Sequence, residues 1–274
     1  DLVVAQLDYG EILTMIAKNQ EFTIISGLNP SSQLHLGHKV LFDMLLEFQK
    51  LGGKVYVPLT DDESYVDGKV EKLADGTRNA KEKVIPNLQK MGFDPAKTHY
   101  LIDTEQPDLY RFAIEISRHV NMSELAHLFG KESLGNPGQV FYRGCVQLAQ
   151  ILTPQLPENG GPRHTLVPVG IDQHPYILLA RDVAKKMGMI PPSELVLRFF
   201  PSLLDPEKKM SKTSPVGAIF LDDSPEVIKK KINKAYTGAV SSLEDHKKLG
   251  GVPEACSVFA LQQAFNPNDE EVRN

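Results

Sequence analysis

The stretch "EFTIISGLNPSSQLHLGHKVLFDMLLEFQKLGGKVYVPLT", residues 21–60, decides the fold. It opens with a β-branched and aromatic run, residues 21–26, which predicts a strand that ends at Gly27. From Gly37, apolar side chains recur at helical spacing until a pair of glycines, so we expect a helix there. Residues 54–60 again have the composition of a strand. Strand, helix and strand in close succession predict neighbouring parallel strands in one sheet.

The same alternation continues along the chain. A polar helical stretch at about residues 75–92 is followed by a strand at 98–103. Residues 107–152 favour helices, and after a flexible-looking loop a further strand is predicted at 165–170. A long helix begins near Pro175. This order predicts an α/β protein with a Rossmann-like, doubly wound parallel sheet and a helical insertion.

The two ends of the sequence are predicted to be helical. Residues 1–20 place Ile12, Met15 and Ile16 on one side of a short amphipathic helix. Near the other end, Ser224 is expected to cap a helix whose first position is a proline. We therefore expect three regions: an N-terminal helix at 1–20, a Rossmann-like domain at 21–223 with its helical insertion at about 107–152, and the start of a helical region at 224–274.

Composition narrows the class of protein. The chain has 274 residues, of which 41% are hydrophobic and 24% charged, as in ordinary soluble globular enzymes. A net charge of −5 argues against a protein that coats nucleic acid, but it allows a local basic patch. Two cysteines, Cys145 and Cys256, imply neither a disulfide framework nor a cysteine-based zinc site. Because no run has the length of a membrane helix and the N-terminus lacks signal-peptide order, we expect a cytoplasmic protein without membrane contact.

Two histidines, His35 and His38, lie in the loop between the first predicted strand and its helix. In a doubly wound sheet, ligands bind beyond the carboxyl ends of the strands, and helix N-termini attract anions. Gly37 would allow close approach of a ligand. A metal site would need a third ligand, and nothing in the sequence indicates one. A phosphate-binding loop and a helix cap with incidental histidines both stay open at this point.

A second loop, "DPEKKMSKTSP" at residues 205–215, favours the phosphate interpretation. A lysine-rich turn is usually a solvated loop, but here hydroxyl side chains suited to polyphosphate accompany the lysines. The set comprises Lys208, Lys209, Lys212, Ser211, Thr213 and Ser214. Lysines on such a loop can neutralise the charge of a leaving pyrophosphate without forming a covalent bond.

The two loops together carry a family resemblance. "HLGH" at 35–38 resembles the HIGH signature, and "KMSKT" at 209–213 resembles the KMSKS signature, of class I aminoacyl-tRNA synthetases. Their order and separation are typical of the tyrosyl and tryptophanyl enzymes. The resemblance implies that an amino acid is activated with ATP and Mg²⁺ and is then transferred to tRNA.

The same resemblance implies roles for individual residues. His35 and His38 would hold the ATP phosphates while the amino-acid carboxylate attacks, and Lys209 and Lys212 would follow the departing pyrophosphate. Positioning and charge stabilisation, rather than covalent chemistry, would then carry the rate. Magnesium would arrive on the ATP phosphates, so no metal ligand is predicted. The further residues expected on the ATP side are Ser31, Ser32, Gly37, Asp172, Met210 and Ser211.

Four longer stretches resemble the tryptophanyl branch in its archaeal and eukaryotic form. They are "TDDESY" at 60–65, "GIDQHPYILLARDVAKKMG" at 170–188, "FFPSLLDPEKKMSKT" at 199–213 and "TGAVSSLEDHKKLGG" at 237–251. The resemblance implies tryptophan and tRNA(Trp) as partners, a homodimer, and an anticodon-binding region that begins in 224–274. The residues expected around the amino acid are Ile25, Gly27, Glu63, Gln147, Gln150 and Gln173.

Three positions depart from the tryptophanyl pattern. Ile25 replaces a tyrosine, Pro58 replaces a frequent glutamine, and Gln150 stands where tyrosyl and bacterial tryptophanyl enzymes carry an aspartate. A glutamine carbonyl accepts a hydrogen bond from an indole N–H or from a phenol O–H, so it does not choose between them. A tyrosine-specific enzyme and a non-catalytic paralogue acting as a binding module therefore stay open. A nucleotidyltransferase that acts without tRNA is disfavoured by "KMSKT" and "EDHKKLGG".

Two expectations concern the C-terminal part. The sequence after Thr213 is shorter than a full helical anticodon-binding domain, which predicts either a truncated chain or a compact variant. The basic run "KKKINK" at 229–234 is typical of a solvated helix face, with contact to tRNA as the alternative.

Overall fold

The computed structural model describes residues 2–238, 252–266 and the separate positions 242, 244, 247, 248, 250, 268, 270 and 272. Much of the stretch 237–251 therefore lies outside the described residues. The chain forms two compact units. The first unit comprises Asp1–Ser32 and Asp43–Arg198, and the second comprises Gln33–Phe42 and Phe199–Asn274. The predicted boundary between residues 223 and 224 does not coincide with this division.

A six-stranded sheet forms the centre of the first unit, in the order β1-β6-β5-β2-β3-β4. Strand β1 pairs antiparallel with β6, and all other neighbours are parallel. The strands are β1 Val3–Leu7, β2 Phe22–Ile25, β3 Gly53–Leu59, β4 Thr98–Ile102, β5 Thr165–Gly170 and β6 Ser193–Leu197. The predicted doubly wound parallel sheet is confirmed.

The strand order identifies where a ligand can bind. From β2 the chain continues to β3 and β4 on one side, whereas β5 and β6 lie on the other. Strands β2 and β5 are hydrogen-bonded neighbours, so their carboxyl ends form the topological switch point of the sheet. The segments that leave these ends are the loop after Ile25 and the short 3₁₀ turn Ile171–Gln173.

Helices connect the strands and cover the sheet. They are α1 Tyr9–Ala17, α2 Leu36–Lys50, α3 Asp61–Val66, α4 Leu73–Asn79, α5 Ile85–Lys90, α6 Pro107–Ser117, α7 Met122–Phe129, α8 Pro137–Phe141, α9 Gln147–Leu152, α10 His174–Lys186, α11 Pro225–Ile232 and α12 Ser257–Phe265. Two π-helical segments, Ala80–Val84 and Tyr142–Val146, join α4 to α5 and α8 to α9. The expected helical insertion and the Ser224 cap of α11, whose side chain accepts from the Val227 N–H, are both present.

The prediction of a helix throughout residues 1–20 was wrong for the first part. Residues Val3–Leu7 form an edge strand on β6, and helix α1 begins only at Tyr9. For strand β6 the sequence predicted only an apolar, strand-like run before the lysine-rich loop, without bounds, and the polar residues Ser193 and Glu194 begin the strand. Both polar side chains are buried and bonded: Ser193 Oγ donates to Asp8 O at 2.9 Å, and Glu194 Oε2 lies 2.8 Å from His174 Nδ1.

Each unit has its own apolar core. In the first unit, Ile25 and Val167 of the sheet pack with the inward faces of α6, α9 and α10. In the second unit, Leu203, Met210 and Ile219 form the centre of a smaller cluster. Among the helices of the described residues, none has both the length and the apolarity needed to cross a membrane.

Candidate functional site

Residues 34–36, which include the first histidine of the first signature, are fixed by backbone pairing within the second unit. Leu36 N–H donates to Ile219 O at 3.0 Å, and Leu221 N–H donates to Leu34 O at 2.9 Å. These two bonds make His35 an antiparallel partner of Phe220. The segment that follows the lysine-rich loop in sequence therefore holds the histidine segment in place.

The two histidines form a stacked pair. Their ring centroids are 3.7 Å apart, with 33° between the ring planes. The backbone N–H of His35 donates to Nδ1 of His38 at 3.2 Å, so a neutral His38 carries its proton on Nε2. A side chain at Gly37 would meet the His35 ring at 3.1 Å, which explains the need for a small residue between the histidines.

Both imidazoles are held neutral. Burial lowers the pKa of His35 to about 4, with the positive charges of Lys212 and Lys209 lowering it further. Burial also lowers the pKa of His38 well below its ordinary value, followed by the effects of His35, Lys212 and Lys209. Near neutral pH the pair therefore offers N–H donors, and the lysines supply the positive charge.

The lysine-rich loop is anchored at its base and exposed at its tip. Pro201 and Lys209 form an antiparallel bridge, and Met210 N–H donates to Phe200 O at 2.7 Å. The side chain of Met210 is buried in the second unit's core. The side chain of Met210 therefore anchors the loop, and the expectation that this residue contacts ATP stays a prediction.

The tip of this loop carries the charges and hydroxyls. Lys209 Nζ lies 5.0 Å from the centroid of the Phe199 ring, a cation–π contact. Ser211 Oγ and Thr213 Oγ1 are 2.9 Å apart, and the Thr213 N–H donates to Ser211 Oγ. Lys212 acts on both histidines through its charge. The second unit thus brings together His35, His38, Lys209, Ser211 and Lys212, all of which were predicted for phosphate binding.

Ser31 and Ser32 lie at the end of the first unit's loop after β2. The Ser31 carbonyl accepts from Asn79 Nδ2 at 3.4 Å. Ser32 Oγ is buried and has no hydrogen-bond partner within the described part of the chain. Because buried hydroxyls are normally bonded, this oxygen is an unsatisfied polar atom at the end of the loop.

Glu63 is held in place at the start of helix α3 of the first unit. Its Oε2 accepts from Thr60 Oγ1 at 2.8 Å and from Asn29 Nδ2 at 3.0 Å. Asn29 is fixed from the other side by Ser64, whose Oγ donates to Asn29 Oδ1 at 2.6 Å. Asn29 was not predicted as a site residue, because its partners lie more than 30 positions away in sequence.

Helix α9 presents two glutamines, one turn apart, to the ends of two strands. Gln147 Nε2 donates to Gln173 Oε1 at 2.8 Å, directly after β5. Gln150 is buried, and its Nε2 donates to Asp103, the first residue after β4. Strands β2 and β3 lie between β5 and β4 in the sheet. The loop after β2 and the start of α3, which follows β3, therefore lie between the two glutamine contacts. A π-helical segment directly precedes Gln147, as is frequent at functional sites.

Asp103 is the second residue that the sequence did not reveal. It is fully buried, and the carboxyl group of Asp62 is close enough to affect its titration. Burial raises the pKa of Asp103 well above its ordinary value, and the neighbouring charges of Asp62 and Asp61 raise it further. Tyr110 donates to Asp62 at 3.1 Å. Asp103 Oδ2 accepts from Gln150, whereas Oδ1 has no hydrogen-bond partner within the described residues.

Ile25 and Gly27 support the site through packing. Ile25 is part of the first unit's core. A side chain at Gly27 would lie 2.6 Å from the carbonyl oxygen of Pro58, so the loop can follow β3 only with glycine at this position. Asp172 is exposed and accepts from Gln173 Nε2 at 3.4 Å. Within the described ranges, no group of three or more His, Cys, Asp or Glu side chains is arranged to hold a metal ion.

Comparison with known proteins agrees with this geometry. The family described as tRNA synthetases class I (W and Y) matches residues 17–274. The chain belongs to this family. The tryptophan--tRNA ligase of Methanocaldococcus jannaschii is 38% identical over 266 residues, which cover 95% of this chain and 71% of that protein.

Solved structures agree with the family assignment. The tryptophanyl-tRNA synthetase of the hyperthermophilic archaeon Aeropyrum pernix K1 superimposes with a TM-score of 0.90 and 34% identity, covering 98% of this chain and 73% of that one. The tyrosyl-tRNA synthetase of Aeropyrum pernix has a TM-score of 0.75 at 20% identity, covering 96% of this chain and 75% of that one. This second likeness shows a shared fold.

As a class I tRNA synthetase, the chain divides its predicted site residues between its units. The signature histidines and lysines belong to the second unit, whereas Glu63, Gln147, Gln150 and Gln173 belong to the first. Family signatures are short and contiguous, so the sequence reveals the signature histidines and lysines of the second unit directly. Asn29 and Asp103 became visible only through hydrogen bonds across the sheet.

Proposed function

We propose that this class I synthetase is a tryptophan--tRNA ligase, which joins tryptophan to ATP as an adenylate and transfers the aminoacyl group to tRNA(Trp). One observation supports the chemistry above all. Backbone pairing of residues 34–36 with 219–221 holds a neutral histidine pair beside two signature lysines in one compact unit. The names of the similar archaeal proteins support tryptophan over tyrosine.

In the first step, a carboxylate oxygen of the amino acid attacks the α-phosphorus of Mg·ATP. A new P–O bond forms, the bond to the β-phosphate breaks, and pyrophosphate leaves. His38 Nε2–H and the lysine ammonium groups of Lys209 and Lys212 would donate to phosphate oxygens whose charge grows during this step. A lone pair on Nδ1 of His38 is already occupied by the His35 N–H, so the imidazole is oriented before ATP binds.

In the same proposal, the first unit recognises tryptophan. The carboxylate of Glu63, fixed by Thr60 and Asn29, would accept from the ammonium group. Gln150 donates its Nε2–H to Asp103, which turns its carbonyl oxygen into the free acceptor for an indole N–H. Gln147 and Gln173 hold each other and would line the remaining side. Asp172 would contact the ribose.

The second step transfers the aminoacyl group to a hydroxyl of the terminal ribose of tRNA, with AMP as the leaving group.

We extend the proposal to a cytoplasmic enzyme, since the tRNA substrate is charged there, and to a homodimer. Sedimentation velocity of the purified chain tests the dimer. The proposed anticodon-binding role of residues 224–274 is tested by charging tRNA(Trp) transcripts with an altered anticodon.

ATP–pyrophosphate exchange tests the activation step. The purified chain is incubated with Mg·ATP, labelled pyrophosphate and each standard amino acid in turn, and tRNA(Trp) charging is measured alongside. We expect exchange with tryptophan, and weak exchange with tyrosine and phenylalanine. Exchange with tyrosine alone would contradict the specificity and keep the reaction. Absence of exchange with every amino acid, from a protein that binds tryptophan and ATP, would favour a non-catalytic paralogue.

A further inference from the structure

Lys231 in helix α11 makes an unusual set of contacts for a residue in a basic run. Its Nζ donates to the Ala218 carbonyl at 2.8 Å and to Asp223 Oδ2 at 2.7 Å. The same ammonium group lies 4.8 Å from the centroid of the Phe220 ring. Lys231 and Asp223 are each 15% exposed, so this ion pair is largely withdrawn from water. Three contacts from one ammonium group fix the segment 218–223.

Asp223 connects the Lys231 ammonium group to the backbone of Phe220. Its Oδ2 accepts from the Phe220 N–H at 2.8 Å as well as from Lys231. The Asp223 N–H donates to the Phe220 carbonyl at 3.1 Å, which closes a tight turn. The position of Phe220 is therefore set by its backbone, by its ring and by one shared carboxylate oxygen.

Phe220 is the residue that pairs with His35. The two form an antiparallel bridge flanked by the bonds from Leu36 to Ile219 and from Leu221 to Leu34. The Phe220 ring meets the His35 imidazole edge-on, with 6.4 Å between centroids and 67° between planes. A shift of Phe220 would move His35, and with it the backbone N–H that orients His38.

From these contacts we infer that Lys231 is a positioning residue for the signature histidines, acting through Asp223 and Phe220. The inference rests on the proposed function, because its consequence is a lower rate of tryptophan activation. It also divides the basic run at 229–234: Lys231 serves the active site from within, whereas Lys229 and Lys230 are exposed.

The neighbouring lysine provides a matched control. Lys230→Met and Lys231→Met remove the same charge from the same helix, one residue apart, and a simple effect of net charge on ATP or tRNA would affect both. Only the second breaks the contacts with Ala218, Asp223 and Phe220. Lys231→Arg keeps the charge and a hydrogen-bond donor, so it should restore part of the activity.

The test is a double-mutant cycle in ATP–pyrophosphate exchange with the full chain. We expect Lys231→Met to lower kcat roughly tenfold, with the KM for tryptophan unchanged, and Lys230→Met to leave kcat within about twofold. In a background with alanine in place of both His35 and His38, Lys231→Met should change kcat by less than about twofold, because both side chains through which it acts are gone. Circular dichroism and a thermal melt establish that each variant is folded.

Each outcome decides the inference. A tenfold loss that persists when both His35 and His38 are alanine would overturn it, since Lys231 would then act independently of the histidines. Equal losses for Lys230→Met and Lys231→Met would overturn it in favour of a charge effect. If the wild-type chain shows no exchange with any amino acid, the proposed function fails. The inference then stands or falls on a pyrophosphate titration, which must show weaker binding for Lys231→Met than for Lys230→Met.

Discussion

The two compact units use opposite chemistry for their candidate residues. In the first unit, carboxyl and amide groups predominate: Glu63, the Asp62–Asp103 pair and the glutamines of helix α9. In the second unit, two neutral imidazoles stand beside lysines and hydroxyls. The first set suits an amino acid with its ammonium group, and the second suits polyphosphate. In the proposed function, the amino acid and the departing pyrophosphate are therefore handled by separately built parts of the chain, although the ATP-side candidates Ser31, Ser32 and Asp172 belong to the first unit.

The largest expected effect lies in the second unit. Replacing His38 or Lys212 with alanine should lower the rate of tryptophan activation by at least about 10²-fold. Each variant lacks an N–H donor that would stabilise the charge developing on the phosphates. Lys208→Ala is the control, since Lys208 is exposed and pairs with Asp205 at 3.0 Å. We expect its rate to stay within about twofold. An unaltered rate in the His38 or Lys212 variant would remove that residue from the proposed mechanism.

A second prediction concerns the backbone of the first unit. Gly27→Ala should lower the free energy of unfolding by about 1–3 kcal/mol, because the new methyl group would lie 2.6 Å from the Pro58 carbonyl oxygen. Gly10→Ala is the matched control: no atom lies within 4 Å of its added methyl group, and alanine favours helix α1. Urea denaturation of both variants gives the comparison. Equal stabilities would show that the loop after β2 can shift without cost.

A third prediction tests the carboxyl pair that supports Gln150. Asp103→Ala should raise the KM for tryptophan roughly tenfold, since Gln150 would lose the acceptor that orients its amide. Asp103→Asn should change it by less than about threefold, because asparagine is a neutral analogue of the protonated acid and keeps a carbonyl oxygen that accepts from Gln150. Steady-state exchange kinetics measure both. An asparagine variant as impaired as the alanine variant would indicate that Asp103 is ionised.

The smallest effect is a pH dependence of stability that arises from the histidine pair. A histidine in the unfolded chain titrates near ~6.5, whereas the pKa of His35 is about 4 and that of His38 is also lowered in the folded protein. Below pH ~6.5 the unfolded state therefore binds protons that the folded state does not, so stability falls from there toward pH 4. Above pH ~6.5 this contribution is constant.

Urea denaturation at pH 7.5 and pH 5 measures this contribution. A variant with glutamine at both positions should lose less stability between the two pH values than the wild-type chain. A wild-type slope no steeper than that of the double variant would mean that the imidazoles are not held neutral by the fold.

The sequence predicted parts of each unit, but from different signals. Strands β2 to β5 and helix α2 follow from periodicity, and the phosphate residues follow from two contiguous signatures. The start of strand β6 was missed because Ser193 and Glu194 look exposed in sequence, yet each is buried with a partner. Strand β1 was missed because an edge strand of five residues has too little pattern to compete with the adjoining helix.

The candidate site shows the same limit. Asn29 and Asp103 act through partners 34 and 47 positions away, and such pairs become neighbours only when parallel strands align. Gln150 was predicted by resemblance, but its orientation depends on Asp103. Met210 lies within a signature and yet serves the core. Local pattern therefore identifies which residues belong to a site, and the fold determines what each side chain does.

Calorimetric titration of tryptophan and of pyrophosphate into the wild-type chain, Glu63→Gln and Lys212→Ala tests the division between the units most directly. We expect Glu63→Gln to weaken tryptophan binding roughly tenfold, with pyrophosphate binding within about twofold of wild type. For Lys212→Ala we expect the reverse. A variant of either unit that weakens the binding of both ligands to the same extent would contradict the proposal that tryptophan and pyrophosphate are bound by separately built parts of the chain.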